Sequence, residues 1–335
     1  MTSSYPLQRL PERLVPIPAT LSEAAQAVTA EGDSPPKPWP PLDDRDAVAA
    51  FIKARDALVP PGGEGPVVAR RYGTADAGVR CQTERIEFGD TGIYQAVPDG
   101  VSADDRRVYL AIHSAWITGG GEIARLGAAM TAGAVRARTW AVDYRMPPYH
   151  PYPAPLDDCV AAYRALLEDH RPEEIIIGGV SGGGNLTLAT ILRARDEGLA
   201  LPAAAVLVTP VADLTKAGDT HQTNKGIDFS YIEAEIEVLY TLYTNGHDRR
   251  DPYVSPLFGD FSKGFPPAIL TSGTRDFLLS DTVLVHRKLL AAGVPAELHV
   301  WEGAGHVMFL GLAPEDHERA AQIRTFCERH WNAKP

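Results

Sequence analysis

The chain reads as an α/β protein, a parallel sheet carrying helices on both faces. Two observations predict this. From about residue 80 onward, short β-branched or apolar runs alternate with amphipathic stretches of helical length. Midway, Ile175-Ile176-Ile177 leads through Gly178-Gly179-Val180 to Ser181, then Gly182-Gly183-Gly184-Asn185-Leu186. That is a strand, a sharp glycine-rich turn and a helix start, with one serine at the tip.

The bulk numbers agree with one large α/β domain plus additions: 335 residues, 44% hydrophobic and 22% charged. A net charge of -11 argues against nucleic acid and anionic membrane surfaces as partners. Cys81, Cys159 and Cys327 are an odd number, far apart and without metal-ligand spacing. Reduced thiols and a cytoplasmic location are therefore expected. No basic-then-apolar leader opens the sequence, and no run of about 18 apolar residues suggests membrane insertion.

Residues 1–75 are rich in Pro and Ala and carry helix-like pieces at Leu21–Ala30 and Asp43–Leu58. Asp43 or Asp44 suits the second N-cap, and Pro60-Pro61-Gly62-Gly63 its stop. Val48, Phe51, Ile52 and Leu58 fit one helix face. This reads as a helical arm. Arg80–Phe88 and Ile93–Val97 flank a turn at Gly89-Asp90-Thr91-Gly92 and form a hairpin. Strands follow at Val108–Ile112, Thr139–Asp143, Glu174–Ile177, Ala203–Val208, Ala268–Thr271 and Glu297–Trp301. The intervening helices are Glu122–Ala132, Leu156–His170, Gly182–Glu197, Asp281–Ala292 and Pro314–Trp331. Residues 213–250 break the rhythm with a helix over Asp228–Tyr243, an insertion expected to join the arm as a lid. The catalytic domain is then 76–212 with 251–335, and the cap is 1–75 with 213–250.

Gly179-Val180-Ser181-Gly182-Gly183 fits G-x-S-x-G, a nucleophile elbow. A serine hydroxyl needs a histidine base and a carboxylate to orient it. In that motif's setting the chain order is Ser, acid, His, each at the end of a strand. Asp276 follows the strand ending at Thr271, and His306 the strand ending at Trp301. Both fall on the sheet edge of Ser181, where open α/β sheets bind ligands. Asp276 could instead cap the next helix, Asp281 and Glu302 are rival carboxylates, and His306 could be a surface histidine. Three residues in the right order at the right strand ends favour a triad. The oxyanion of acyl transfer needs N–H donors: Gly182, and the loop after Ile112, His113-Ser114-Ala115-Trp116. No dinucleotide or P-loop register fits the glycines, and H-E-x-x-H and C-x-x-C are absent, so no cofactor or metal is expected.

The chain resembles the hormone-sensitive lipase-like esterases of the α/β-hydrolase superfamily over roughly residues 80–330. The resemblance rests on Val142-Asp143-Tyr144-Arg145, His150-Pro151-Tyr152-Pro153-Ala154, Val180 to Leu186, Asp251-Pro252-Tyr253-Val254-Ser255-Pro256-Leu257 and Asp276-Phe277-Leu278-Leu279-Ser280-Asp281. It implies an eight-stranded, mostly parallel sheet and a helical cap. It also implies cofactor-free ester hydrolysis by Ser181, Asp276 and His306, with Gly182, Ser114 and Ala115 at the oxyanion and His113 and Trp116 at the pocket. The chain departs from the family's His-Gly-Gly-Gly/Ala loop, since only Ser114 and Ala115 separate His113 from Trp116. Side chains there restrict the backbone and crowd the oxyanion. The expected function is a serine carboxylesterase for small to medium, fairly apolar esters or lactones. The alternatives are an amidase, carbamate hydrolase or acyltransferase with the same triad, and a non-catalytic small-molecule binding protein. A homodimer through an edge strand suits the architecture.

Overall fold

Side-chain alternation in the central strands accounts for a sheet covered twice. Val108, Leu110 and Ile112 of β3 (Val108–Ile112) join one buried cluster, while Tyr109 and Ala111 join another. Ile175 and Ile177 of β5 (Ile175–Val180) divide from Ile176 in the same way. Helices α4 (Ala154–Asp169), α5 (Gly182–Asp196) and α8 (Leu279–Ala291) bring Leu156, Leu188 and Val285 to the first face. Helices α3 (Glu122–Val135) and α9 (Pro314–Trp331) bring Ala128, Ala132 and Phe326 to the second.

The computed structural model describes residues 14–31, 38–57, 80–89, 91–228, 230–306 and 308–331. The remaining strands are β1 (Cys81–Phe88), β2 (Thr91–Pro98), β4 (Arg138–Asp143), β6 (Ala204–Val208), β7 (Ala268–Gly273) and β8 (Ala296–Trp301). The sheet has eight strands in the order 1-2-4-3-5-6-7-8. β1 and β2 form an antiparallel hairpin, β2 meets β4 antiparallel, and every later pair is parallel. The hairpin turn is shorter than the sequence suggests, because Thr91 already pairs with Phe88. β1 alternates half-buried and exposed residues, as an outer strand should, whereas β3, β6 and β7 are buried throughout.

The arm divides into two. Helix α1 (Glu23–Glu31) and the residues leading into it place Leu21, Ala25 and Val28 against Trp301, Ala304, Met308 and Phe309. Ser22 fastens it, its N–H and hydroxyl each donating to the Glu315 carboxylate at 2.8 Å. Helix α2 (Arg45–Asp56) is N-capped by Asp44, which accepts from the Ala47 N–H at 3.0 Å, and buries Val48 and Ile52. Leu58 and Pro60 to Gly63 lie outside the described residues.

The insertion also departs from expectation. Its helices are α6 (Thr220–Thr223) and α7 (Glu233–Thr244), so Asp228 lies before the long helix, not within it. The reason is local. The Asp228 carboxylate accepts from the N–H and hydroxyl of Ser230, an Asx turn that competes with helix, and it is buried against the sheet edge. Among the described residues no helix is long and apolar enough to cross a membrane.

Candidate active site

Ser181 sits between β5 and α5 at φ 56° and ψ -117°, a left-handed conformation costing on the order of 1–3 kcal/mol for a non-glycine residue. Hydrogen bonds on both sides hold it there: its N–H donates to Val208 O at 2.9 Å, and its carbonyl accepts from Asn185 and Val211. The flanking glycines are required by close approach. A Cβ on Gly183 would lie 2.1 Å from Ile112 O and 2.5 Å from His113 O, both backbone atoms that cannot give way. Gly183→Ala is therefore expected to cost about 4 kcal/mol or more, read as a lowered urea midpoint or a loss of folded protein. An unchanged midpoint would contradict this packing.

Three strand ends bring the partners in. The His306 ring Nε2 is 2.9 Å from Ser181 Oγ, and its Nδ1 is 3.3 Å from Asp276 Oδ1. The loops carrying the two partners are zipped together, with Thr274 N–H on Trp301 O, Arg275 N–H on Ala304 O and Gly303 N–H on the Thr274 hydroxyl. Asp276 is fully buried. Burial works against its charge, but bonds from His306, Ser272 and Thr209 prevail and hold its carboxyl below the usual range. Burial likewise disfavours a charged His306, yet Asp276, with Asp228 behind it, lifts the imidazole above its ordinary value.

The loop after β3 reaches its positions without glycine. Ala115 and Trp116 take φ 71° and 56°. Gly182 faces this turn so closely that an added Cβ would lie 2.8 Å from Ala115 N and 3.0 Å from the Trp116 ring. The Ala115 amide nitrogen thus lies against Gly182. The left-handed turn carries the Trp116 indole inward, where it is 1% exposed and stacks on Tyr243 at 4.6 Å. His113 stacks on Tyr144 at 3.9 Å, and burial lowers its pKa to about 4, so the ring is neutral. The two residues expected at the pocket therefore shape the loop from beneath. Ala115 is the one that reaches a pocket of about 110 Å³, walled by Trp39, Ile52 and Arg55 of the arm, Ile117, and Glu235 and Leu239 of the insertion. Arg55 and Glu235, both lining it, pair at 3.0 Å. Among the described residues no cluster of His, Cys, Asp or Glu has the makings of a metal site.

Residues 110–310 match a family model described as the alpha/beta hydrolase fold, and they contain all of these loops. The chain belongs to the α/β-hydrolase family. An acetyl-hydrolase from Streptomyces hygroscopicus is 35% identical over 205 residues, 61% of this chain and 68% of that one. The crystal structure of an esterase, E25, superposes with a TM-score of 0.82 at 32% identity, covering 97% of this chain and 99% of that one. An esterase of the bacterial hormone-sensitive lipase family superposes at 0.74 with 29% identity, covering 92% and 97%. The likeness to that branch of the hydrolases, and the eight-stranded sheet, accord with the sequence.

Two features of this hydrolase site carry no motif. Thr209, one residue past β6 and at φ 41°, places its hydroxyl 2.9 Å from His306 Nδ1 and donates to Asp276 Oδ2. Its position beside the serine strand in the parallel order is the signal that would have found it. Asp228 gives no sequence signal at all. The rival carboxylates lie elsewhere. Asp281 is buried, accepting from Ala212 N–H and Asp213 N–H with His221 at 3.3 Å, while Glu302 is exposed.

Proposed function

We propose that this hydrolase is a serine carboxylesterase. The observation that carries the reading is Ser181 Oγ, strained on its elbow, 2.9 Å from a His306 ring whose far nitrogen meets the buried Asp276. His306 Nε2 takes the Ser181 proton as Oγ attacks the ester carbonyl. The tetrahedral oxyanion receives the amides of Gly182 and Ala115, with Ser114 beside them. His306 then passes the proton to the leaving alkoxide, releasing the alcohol. Water attacks the acyl-enzyme, giving His306 a proton that returns to Ser181 as the acid leaves. Asp276 orients the ring and stabilises the imidazolium.

The substrate class follows from the pocket beside Ala115, which is small and mostly apolar, closed by the arm on one side and the insertion on the other. We assign it to a short acyl group on a small to medium, fairly apolar ester, with the two cap segments acting as a lid. The esterase and acetyl-hydrolase names of its relatives support this reading. A homodimer would form through an edge strand, and sedimentation mass decides it. A series of p-nitrophenyl esters of rising chain length, with Ser181→Ala as the blank, tests the function. Turnover should be greatest for the shortest acyl chains, and equal turnover by wild type and blank would overturn the reading.

The pH dependence follows from His306. Only the neutral ring accepts the serine proton, and its pKa stands above the ordinary histidine value. The acid limb of kcat/KM should therefore lie above that value, with activity rising through neutral pH. A limb below it would show that the carboxylates do not support the ring.

A further inference from the structure

The insertion contributes a buried acid to the two loops that carry Asp276 and His306. Asp228 is 2% exposed. Its Oδ2 accepts the backbone N–H of His306 at 3.0 Å and that of Phe277 at 3.0 Å. Its Oδ1 accepts the Ser230 N–H at 3.0 Å and hydroxyl at 2.7 Å. One side chain thus ties the residue after Asp276 to His306 itself, although Asp276 and His306 are 30 residues apart in the chain. We propose that Asp228 is a positioning residue for the reaction, locking the acid and base loops together and setting a second carboxylate charge behind the imidazolium; this rests on the esterase reading above.

The hydrogen-bond pattern argues for the charged form. All four acceptor positions of Asp228 meet donors, and a carboxyl proton would have to displace one of them. Burial, and after it the charge of Asp276, push the other way and raise its pKa above the usual carboxylate range. Two carboxylates are held close together in a buried site. The arrangement costs least when a cation lies between them, and His306 becomes that cation each time it accepts the Ser181 proton. The charged groups facing His306 are Asp276 from the end of β7, Asp228 from the insertion, and Arg319 from α9, which acts against them. The Phe277 ring packs against the imidazole, 4.8 Å between centroids. Asp228 therefore supplies charge that Asp276 alone does not, and places it through a segment outside the α/β core.

The test separates charge from shape. Asp228→Asn keeps the shape and loses the charge, whereas Asp228→Glu keeps the charge and displaces its acceptors. Each is compared with wild type by the rate of inactivation by a fluorophosphonate across pH, which needs no knowledge of the substrate. It is compared also by kcat and KM on p-nitrophenyl acetate. In Asp228→Asn the acid limb should move to lower pH, because an imidazolium that has lost a carboxylate releases its proton more easily, and kcat should fall about 10–100-fold with little change in KM. In Asp228→Glu kcat should fall while the limb stays at the wild-type pH. A residue that merely supports the fold would lower the rate without moving the limb in Asn alone. Equal limbs in Asp228→Asn and wild type overturn the proposal. If Asp228→Asn does not fold, full activity in Asp228→Glu overturns it equally. A wild-type protein that the fluorophosphonate does not label overturns the esterase reading itself, and this proposal with it.

Discussion

Replacing Ser181 by alanine is expected to lower kcat/KM on p-nitrophenyl acetate by about 10⁴–10⁶ and to leave the fold intact. The substitution removes the Oγ that lies against His306, while the bonds fixing the elbow come from the backbone: its N–H to Val208 O, and its carbonyl from Asn185 and Val211. Alanine inherits the left-handed φ that serine already tolerates, so stability should change by less than about 1 kcal/mol. Labelling by a fluorophosphonate should vanish at the same time. Any residual turnover above the blank reaction would come from the oxyanion donors and from binding. A loss of less than tenfold would remove Ser181 from the chemistry, and the mechanism with it.

Asp276→Asn should be nearly as damaging, at about 10⁴ in kcat, for a reason particular to this site. Asp276 Oδ1 accepts from the Leu278 N–H at 2.8 Å, which would hold the amide oxygen of asparagine in that place. The amide NH₂ would then replace Oδ2, where Ser272 at 2.6 Å and Thr209 now donate. Both hydroxyls would have to turn and accept. The Thr209 proton would be left facing His306 Nδ1, 2.9 Å away. A ring that accepts at Nδ1 carries its proton on Nε2, so it offers a proton to Ser181 when it should take one. Adding Thr209→Val to Asp276→Asn removes that competing donor and should return part of the lost rate. If the double variant is no faster than the single one, Thr209 has no part in setting the tautomer.

The sheet and the three loops at its edge were legible because they depend on local rules. The isoleucine run before Ser181, and the strands ending at Thr271 and Trp301, declare themselves by periodicity and by the glycines that follow. The order serine, acid, histidine then places all three on one edge. What escaped depends on contacts distant in sequence. Thr209 is an ordinary threonine before a proline until β6 is known to lie beside β5. Asp228 reads as part of a helix because its neighbours have helical spacing; its real partners, Phe277 and His306, are far along the chain. The loop from His113 to Trp116 was legible as unusual, but not how it would be accommodated. Glycine would have met the positive φ at no cost. Here Ala115 and Trp116 bear it, held by Trp116 stacked on Tyr243. The arm was legible as helical, but not that its halves go to different places, since α1 and α2 carry similar short apolar stripes.

That division of the arm has a consequence in time. Ser22 and Glu315, which fasten α1 beside the loop of His306, are separated by 293 residues. At ribosomal rates of roughly 5–20 residues per second, that interval is about 15–60 s. For most of it Leu21, Ala25 and Val28 lack the surface of Trp301, Ala304 and Phe309 that covers them in the finished protein. Helix α1 thus waits through most of this span for its seat, and the loop of His306 acquires the Ser22 clasp only once α9 has begun. A nascent chain interrupted before Glu315 would lack the clasp that fastens α1 beside the histidine loop.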